Sequence, residues 1–330
     1  MAILITGGAG YIGSHTVAAL VESGRDIVII DHLIQGHKEA LIGGKLYEGD
    51  LRDENILDRI FTENQIDAVI HFAAHSLVGE SMKNPAKYYH NNVYGTLCLL
   101  EKMVQHGVKK IVFSSTAAVY GNPEKLPISE CDRTEPTNVY GETKLAMEKM
   151  FKWFDTVHNI KYISLRYFNA AGAHTSGEIG EDHSPETHLI PIILDVALGK
   201  RPYISVFGQD YDTEDGTCIR DYIHVSDLAS AHILAVDKLI QGAESSIYNL
   251  GNGKGFSVKQ VIETVRAVTG HPIPEKIEAR RAGDPAILVA SSERAKTELN
   301  WIPQYNDLLA IVESAWKWHV NYPNGYKDKH

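Results

Sequence analysis

Three glycines, Gly7, Gly10 and Gly13, stand between a short apolar run at 2–6 and a helical pattern that continues to about Glu22. No other feature restricts the possible folds as much. Glycine tolerates positive φ and lets backbone approach a ligand closely, and the first turn of a helix offers unpaired N–H groups and a positive dipole end. A diphosphate fits that combination. A second apolar run at 27–30 ends in Asp31, 18 residues beyond Gly13. A carboxylate there can accept from the ribose hydroxyls of an adenosine, and it repels a 2′-phosphate. With 27 glycines in the chain, the spacing alone arises about 0.2 times by chance. The strand before it, the helix after it and the acid beyond it carry the reading: a dinucleotide site that takes NAD rather than NADP.

Further apolar runs at 68–72, 111–113 and 162–165 alternate with helical patterns at 54–63, 86–106 and 140–157. Such alternation builds βαβ units, so the expected fold class is α/β, a Rossmann-type doubly wound parallel sheet. After Asn169 the pattern loosens. Residues 172–187, rich in Gly, His, Ser and acids, read as a loop over a site. Helices near 188–199, 226–240, 257–269 and 307–319 follow, with short strands at 203–206 and 247–250. We therefore expect 1–170 to hold the dinucleotide and 171–330 to form a smaller C-terminal α/β substrate domain. Segments around 220–228 should return to the first domain, and the tail from Asn321 should fray.

Composition supplies exclusions. The 330 residues carry 42 acids against 32 bases, a net charge of −10, which argues against a nucleic-acid partner but not against a local basic pocket. Three cysteines, Cys98, Cys131 and Cys218, are odd in number and widely spaced, as in a reduced cytoplasmic protein without a disulfide or zinc framework. The chain enters its first apolar run with no basic leader and has no stretch of 18 apolar residues, so neither a signal peptide nor a membrane span is expected. His71 and His75 are four apart, but His71 lies in an apolar run; the 16 histidines form no HExxH or His-Cys pattern. No metal is expected.

Tyr140 and Lys144 share one face of the helix expected at 140–157. The spacing arises about once by chance, and context decides: the helix follows a strand of a dinucleotide-binding sheet that ends in Ser114-Ser115-Thr116. With T-G-G-A-G-Y-I-G at 6–13, S-S-T-A-A-V-Y-G at 114–121 and Y-G-E-T-K at 140–144, the chain resembles the extended short-chain dehydrogenases/reductases. That resemblance implies Tyr140 as acid/base, Lys144 on the nicotinamide ribose and Thr116 polarising the substrate oxygen. An ammonium about 6 Å away at an effective dielectric of about 20 favours a phenolate by about 2.8 kcal/mol, around two pKa units. The cationic oxidised nicotinamide would add to that. The resemblance also implies cofactor contacts from Tyr11 and Ile12, from Asp50 and Leu51, from Phe72 and Ala73, and from Asn92, Ser114 and Tyr167. Tyr120, Tyr167 and Phe168 read as walls of the cofactor pocket.

Y-F-N-A-A-G-A-H at 167–174, P-E-T-H-L-I-P at 185–191, R-D-Y-I-H-V-S-D at 220–227 and R-R-A-G-D-P-A at 280–286 resemble the UDP-galactose 4-epimerase family along nearly the whole chain. In that family the segments matching Asn169, His188, Leu189, Arg220, Tyr222, Arg281 and Asp284 surround a UDP-hexose. Arg220 and Arg281 suit a pyrophosphate clamp, since a planar fork makes bidentate contacts; Asp284 could accept from the uridine ribose. The reaction implied is transient oxidation at C4 by tightly bound NAD, rotation of the 4-keto sugar and hydride return to its other face. Dehydratases and decarboxylating relatives carry acids just after the threonine, whereas this chain has Ala117-Ala118, which leaves simple epimerisation. Leu288 stands where family members place either a bulky tyrosine or a smaller residue, so N-acetylated UDP-hexosamines are expected substrates beside UDP-glucose and UDP-galactose. Ser76 stands where some members carry a lysine near the substrate phosphates, which implies one positive contact fewer. Relatives dimerise through two helices per subunit, supplied here by 87–106 and 140–157, so a homodimer is expected. Two other readings stay open: a related nucleotide-sugar epimerase or oxidoreductase, for example on a uronic acid, and a non-catalytic NAD-binding regulator.

Overall fold

The computed structural model describes residues 1–281 and 284–329. Its centre is a seven-stranded, all-parallel sheet. Across the sheet the order is Ser246–Leu250, Lys161–Tyr167, Lys110–Ser114, Ile66–His71, Ala2–Thr6, Ile27–Asp31 and Lys45–Glu48. The strands alternate sides with period two. Ile3, Ile5, Ile27, Ile29, Val112 and Ile163 enter one core with Val17 and Leu20 of the helix Tyr11–Glu22 and with Leu228 and Leu239 of the helix Val225–Ile240. Leu4, Val28, Ile30, Ile111 and Phe113 enter the other, against the helices Glu54–Glu63, Gly95–Gln105 and Val139–His158. Both faces are covered, which explains why the strands read as unbroken apolar runs. Each large aliphatic side chain so buried contributes about 1.5–3 kcal/mol.

Chain order runs outward in one direction from Ala2–Thr6 and then, from Ile66–His71, outward in the other. The crevice between the carboxyl ends of these two strands is the switch point at which doubly wound sheets bind ligands. There the N–H groups of Phe72 and Ala73 both donate to the Thr6 carbonyl oxygen, at 2.9 and 3.1 Å.

A smaller α/β unit lies beyond residue 168. Ile190, Ile193 and Leu194 of the helix Leu189–Ala197 pack with Val261, Ile262 and Val265 and with Ile311 and Val312. Short strands join Asn169–Ala171 to Tyr222–His224, and Ile204–Phe207 to Glu275–Glu278. The return to the first unit is longer than the expected 220–228. The helix from Val225 packs on the first helix, and Ser246–Leu250 is the edge strand of the large sheet.

Three local expectations differ from the structure. The strand Lys45–Glu48 escaped notice because it is an edge with one buried residue, Tyr47, in four. The single helix expected at 86–106 is Pro85–Tyr88, a π-helical turn Tyr89–Tyr94 and Gly95–Gln105. The tail does not fray as far as Lys329: Gly325–Lys329 is a 3₁₀ helix whose buried Tyr326 stacks on His37, with ring centroids 4.8 Å apart. The Tyr326 hydroxyl donates to the Gly180 carbonyl at 3.1 Å, so tertiary contacts hold a segment that local pattern leaves loose.

Candidate active site

The glycine turn follows the first strand directly. Gly7 has φ +70°, and a Cβ there would lie 2.6 Å from the Ala73 nitrogen; at Gly13 it would lie 2.2 Å from the Gly7 carbonyl oxygen. These two glycines close the turn tightly. Gly10 is different, because its nearest obstacle is the Gly7 oxygen at 3.4 Å. It is also the residue that starts the helix Tyr11–Glu22, and no side chain caps that helix. The missing Cβ and the uncapped first turn leave a cradle that suits a pyrophosphate.

Asp31 is buried beside this turn, its two oxygens accepting from the Ala9 and Leu33 N–H groups, each at 2.9 Å. These bonds fix the carboxylate and leave lone pairs for ribose hydroxyls. At the far side Asn92, in the π-helical turn, accepts from the His75 N–H at 2.8 Å and donates to Thr143 at 3.1 Å. It thereby pins the loop after Ile66–His71 to the helix that carries Tyr140 and Lys144. π-Turns inside helices often mark functional positions. Asp50 is joined to Arg52, Leu51 is buried, and Phe72 lies against His232 with ring centroids 4.6 Å apart. Ile12 is the second residue of the first helix, partly buried against the sheet core.

The helix Val139–His158 starts where Asn138 accepts from the Gly141 N–H at 2.9 Å, which places Tyr140 and Lys144 in its first two turns. Lys144 Nζ donates to the Ser114 carbonyl at 2.7 Å and lies 5.9 Å from the centroid of the Tyr140 ring. Burial pushes Lys144 down to about 7, with Glu148 opposing. Loss of water pushes Tyr140 up to about 12, with a hydrogen bond from Thr116 acting the other way. The expected fall of the phenol is outweighed in the chain alone, because burial penalises phenolate and ammonium alike. The Ser114 hydroxyl and the Tyr167 hydroxyl are 2.5 Å apart, which holds Tyr167 at the end of its strand.

The model of the NAD dependent epimerase/dehydratase family matches residues 3–251. The chain belongs to that family. Among curated relatives, the UDP-glucose 4-epimerase of Halalkalibacterium halodurans is 62% identical, with all of both chains covered. A crystal structure described as a UDP-glucose 4-epimerase superposes with a TM-score of 0.98 at 57% identity, covering 99% of each chain. The UDP-glucose 4-epimerase of Brucella ovis, solved in complex with NAD, gives 0.94 at 44% identity over 96% of this chain and 97% of that one.

Within this epimerase/dehydratase family member, the residues expected around a UDP-sugar fall on the smaller unit and its seam with the sheet. Asn169 pairs in register with Tyr222, and its side-chain amide donates to the Asp221 carbonyl at 3.1 Å. Arg220 pairs in register with Leu288. Leu288 and Phe168 each pack against a cluster of Ala117, Val119, Tyr120, Ile128 and Leu145, the last on the helix Val139–His158. Arg220 donates to the carboxylate of Asp284, so the proposed clamp and the proposed ribose acceptor are bonded to each other. Arg281 is exposed, its guanidinium 4.0 Å from the centroid of the Phe207 ring. His188 precedes the helix that Leu189 begins.

Tyr11 and Tyr120 are also tied to groups within the chain through their hydroxyls. Tyr11 turns its hydroxyl to the Gly172 carbonyl at 2.6 Å, tying the glycine turn to the following loop. Tyr120 donates to Asn249 at 2.7 Å and accepts from Arg166 at 2.8 Å. Arg166 in turn holds Glu148, the residue one turn beyond Lys144. Sequence reading missed this buried network, since its members are scattered over 129 positions. It also missed Glu181, His183 and Glu186, which converge in space with His188. Their pattern, E-x-H-x-x-E-x-H, was legible but matched no helical metal motif. His71 is buried between two threonines: Thr6 lies 2.6 Å from its Nδ1 and Thr96 2.9 Å from its Nε2.

Proposed function

We propose that the chain interconverts UDP-glucose and UDP-galactose by inverting C4 of the hexose. The observation that carries this is the convergence of Thr116, Tyr140 and Lys144 at the mouth of a sheet whose switch point is shaped for NAD. When bound, NAD supplies the hydride acceptor and donor and, oxidised, a fixed positive charge. It would be held by the turn from Gly7 to Gly13, by Asp31 on the adenosine ribose, and by Lys144 on the nicotinamide ribose. Tyr11, Ile12, Asp50, Leu51, Phe72, Ala73, Asn92, Ser114 and Tyr167 would line the rest.

The chain's own residues handle protons and position. Tyr140 exchanges a proton with the sugar 4-hydroxyl, and Thr116 steadies the oxygen through its hydroxyl. Ala117 and Ala118 place neither acid nor base beside the sugar, so elimination of water has no catalyst. Arg220, Arg281 and Asp284 would grip the uridine diphosphate, with Asn169, His188, Leu189 and Tyr222 around it. The sugar itself would be held loosely enough to present either face. Leu288 leaves room for an N-acetyl group, which supports UDP-hexosamines as second substrates.

The division of labour follows the fold: NAD on 1–170 with the returning segment, and UDP-sugar on the smaller unit. Tyr89, Tyr94, Trp153 and Val157 are exposed, the last two at 65% and 68%, and support a homodimer built on the helices they flank. Among the described residues no helix is long and apolar enough to cross a membrane. Together with the unpaired cysteines this supports a cytoplasmic enzyme of galactose metabolism.

The test is to incubate purified protein with UDP-galactose, adding no NAD, and to follow formation of the 4-epimer. Turnover without added cofactor is expected, and Tyr140→Phe should remove nearly all of it while NAD stays bound. Absence of epimer from native protein shown to carry NAD would overturn the reading.

A further inference from the structure

We propose that Glu181, His183, Glu186 and His188 hold a divalent transition cation of the zinc type. The site lies at the end of the 172–188 loop, and the inference stands independently of the epimerase reading. The four residues each bring one ligand atom, and all four atoms lie within 4.8 Å of one another. His188 Nδ1 is 2.7 Å from Glu181 Oε1 and 3.1 Å from Glu186 Oε1. His183 Nδ1 is 3.1 Å from Glu181 Oε1 and 3.7 Å from the Glu186 carboxylate. These separations bracket the edge of about 3.3 Å in a tetrahedron whose ligands stand about 2.0–2.1 Å from a central zinc ion.

A second observation points the same way. Glu181 is only 6% exposed, and neither its Oε1 nor His183 Nδ1 makes a hydrogen bond. A buried carboxylate oxygen without a donor is costly, and an imidazole nitrogen 3.1 Å away is placed to relieve it. The two atoms lie within ion-pair distance but make no hydrogen bond. Lone pairs that face a common centre rather than one another are what a shared cation requires.

The donor set selects the class of ion. Two imidazole nitrogens disfavour calcium and magnesium, which take oxygen cages, and the lack of thiolate disfavours the softest ions. Glu186 is oriented from outside, its Oε1 accepting from the Thr187 and His188 N–H groups at 2.7 Å each. The Glu181 carbonyl accepts from the Trp318 indole at 3.0 Å, which anchors the other end of the pattern. Metal sites depend on such supports.

The placement gives the ion its task. The His183 ring stands perpendicular to that of Tyr11, with centroids 6.2 Å apart, and Tyr11 opens the helix that faces the NAD pyrophosphate cradle. A cation here fastens the 172–188 loop across the glycine turn.

The experiment strips the full-length chain with a chelator, removes the chelator, and titrates Zn²⁺ and then Co²⁺. One Zn²⁺ per chain should survive gel filtration, as read by mass spectrometry. Co²⁺ should give the strong visible band of a four-coordinate site and lose it on adding Zn²⁺. His183→Gln and Glu186→Gln should each weaken binding by more than about 100-fold, beyond the 10–100-fold typical of losing an outer support. Cys131→Ser, which removes the exposed thiol, should bind as the parent does. Substoichiometric zinc, cobalt that stays six-coordinate, or undiminished binding by both ligand variants would overturn the proposal in favour of a plain imidazolium–carboxylate cluster. The native measurement decides the matter even if a variant fails to fold.

Discussion

Lys144 donates its ammonium to the carbonyl oxygen of Ser114, 2.7 Å away, at the carboxyl end of the strand Lys110–Ser114. One bond thus ties the second turn of the helix Val139–His158 to the strand end that leads into Thr116. The helix cannot rotate about its axis without breaking it, and Tyr140, one turn earlier on the same face, keeps its aim.

The protonation of this lysine should be visible in stability. Its folded-state value, about 7, lies below the ordinary 10.5. Between those values the unfolded chain binds a proton that the folded chain has released, so stability should rise with pH across that window. Tyr140, raised to about 12 from 10.0, acts in the opposite sense: stability should fall from pH 10 to 12. Thermal unfolding of cofactor-free protein, parent against Lys144→Met, should show the rise between pH 7 and 10 flattened in the variant.

Beneath the pair, Glu148 and Arg166 form a buried bidentate ion pair with side chains 4% exposed each. Glu148 also accepts from the Ser115 hydroxyl at 2.6 Å. Glu148→Ala leaves the guanidinium buried and unbalanced, a loss of about 3–5 kcal/mol. Urea unfolding should register it, with epimerisation falling in the protein that remains folded.

Gly13→Ala should abolish NAD retention, since its Cβ would lie 2.2 Å from the Gly7 carbonyl and 2.9 Å from the Gly8 Cα. Gly79→Ala makes the control. That residue has open space and lies in the short helix Val78–Ser81, so the change should be neutral or stabilising by about 0.4–1 kcal/mol. Cofactor content of the purified variants reads the difference.

Leu288→Tyr should reduce turnover of UDP-N-acetylgalactosamine more than that of UDP-galactose. Leu288 packs against the cluster that includes Leu145 of the helix Val139–His158, and on the proposed reading a phenol there would fill the space an N-acetyl group needs. Equal loss on both substrates would count against Leu288 as the determinant.

Much of this arrangement was legible in the residue order. The strands on both sides of the switch point, the glycine turn, Asp31 and the Tyr140–Lys144 spacing are local patterns, each complete within about 20 residues. A buried parallel strand has to be apolar on both faces, and a phosphate turn has to be glycine, so composition and position leave few options. The edge strand Lys45–Glu48 and the helix Glu293–Glu298 lacked such a signal, because each presents a single buried residue.

What only the tertiary structure decided is how distant polar groups are matched. Sequence can place Glu148, Arg166, Tyr120 and Asn249 on their elements but cannot pair them. Nor can it show that Arg220 reaches Asp284, 64 residues away, or that Tyr326 closes the tail on His37. The loop at 181–188 is the sharpest case. Its acids and histidines read as a solvated stretch until packing removes the water from Glu181, and from then on their charges have to be answered by one another or by a cation. Local pattern sets the elements through periodicity and steric restriction; burial, which depends on the whole chain, sets the partners.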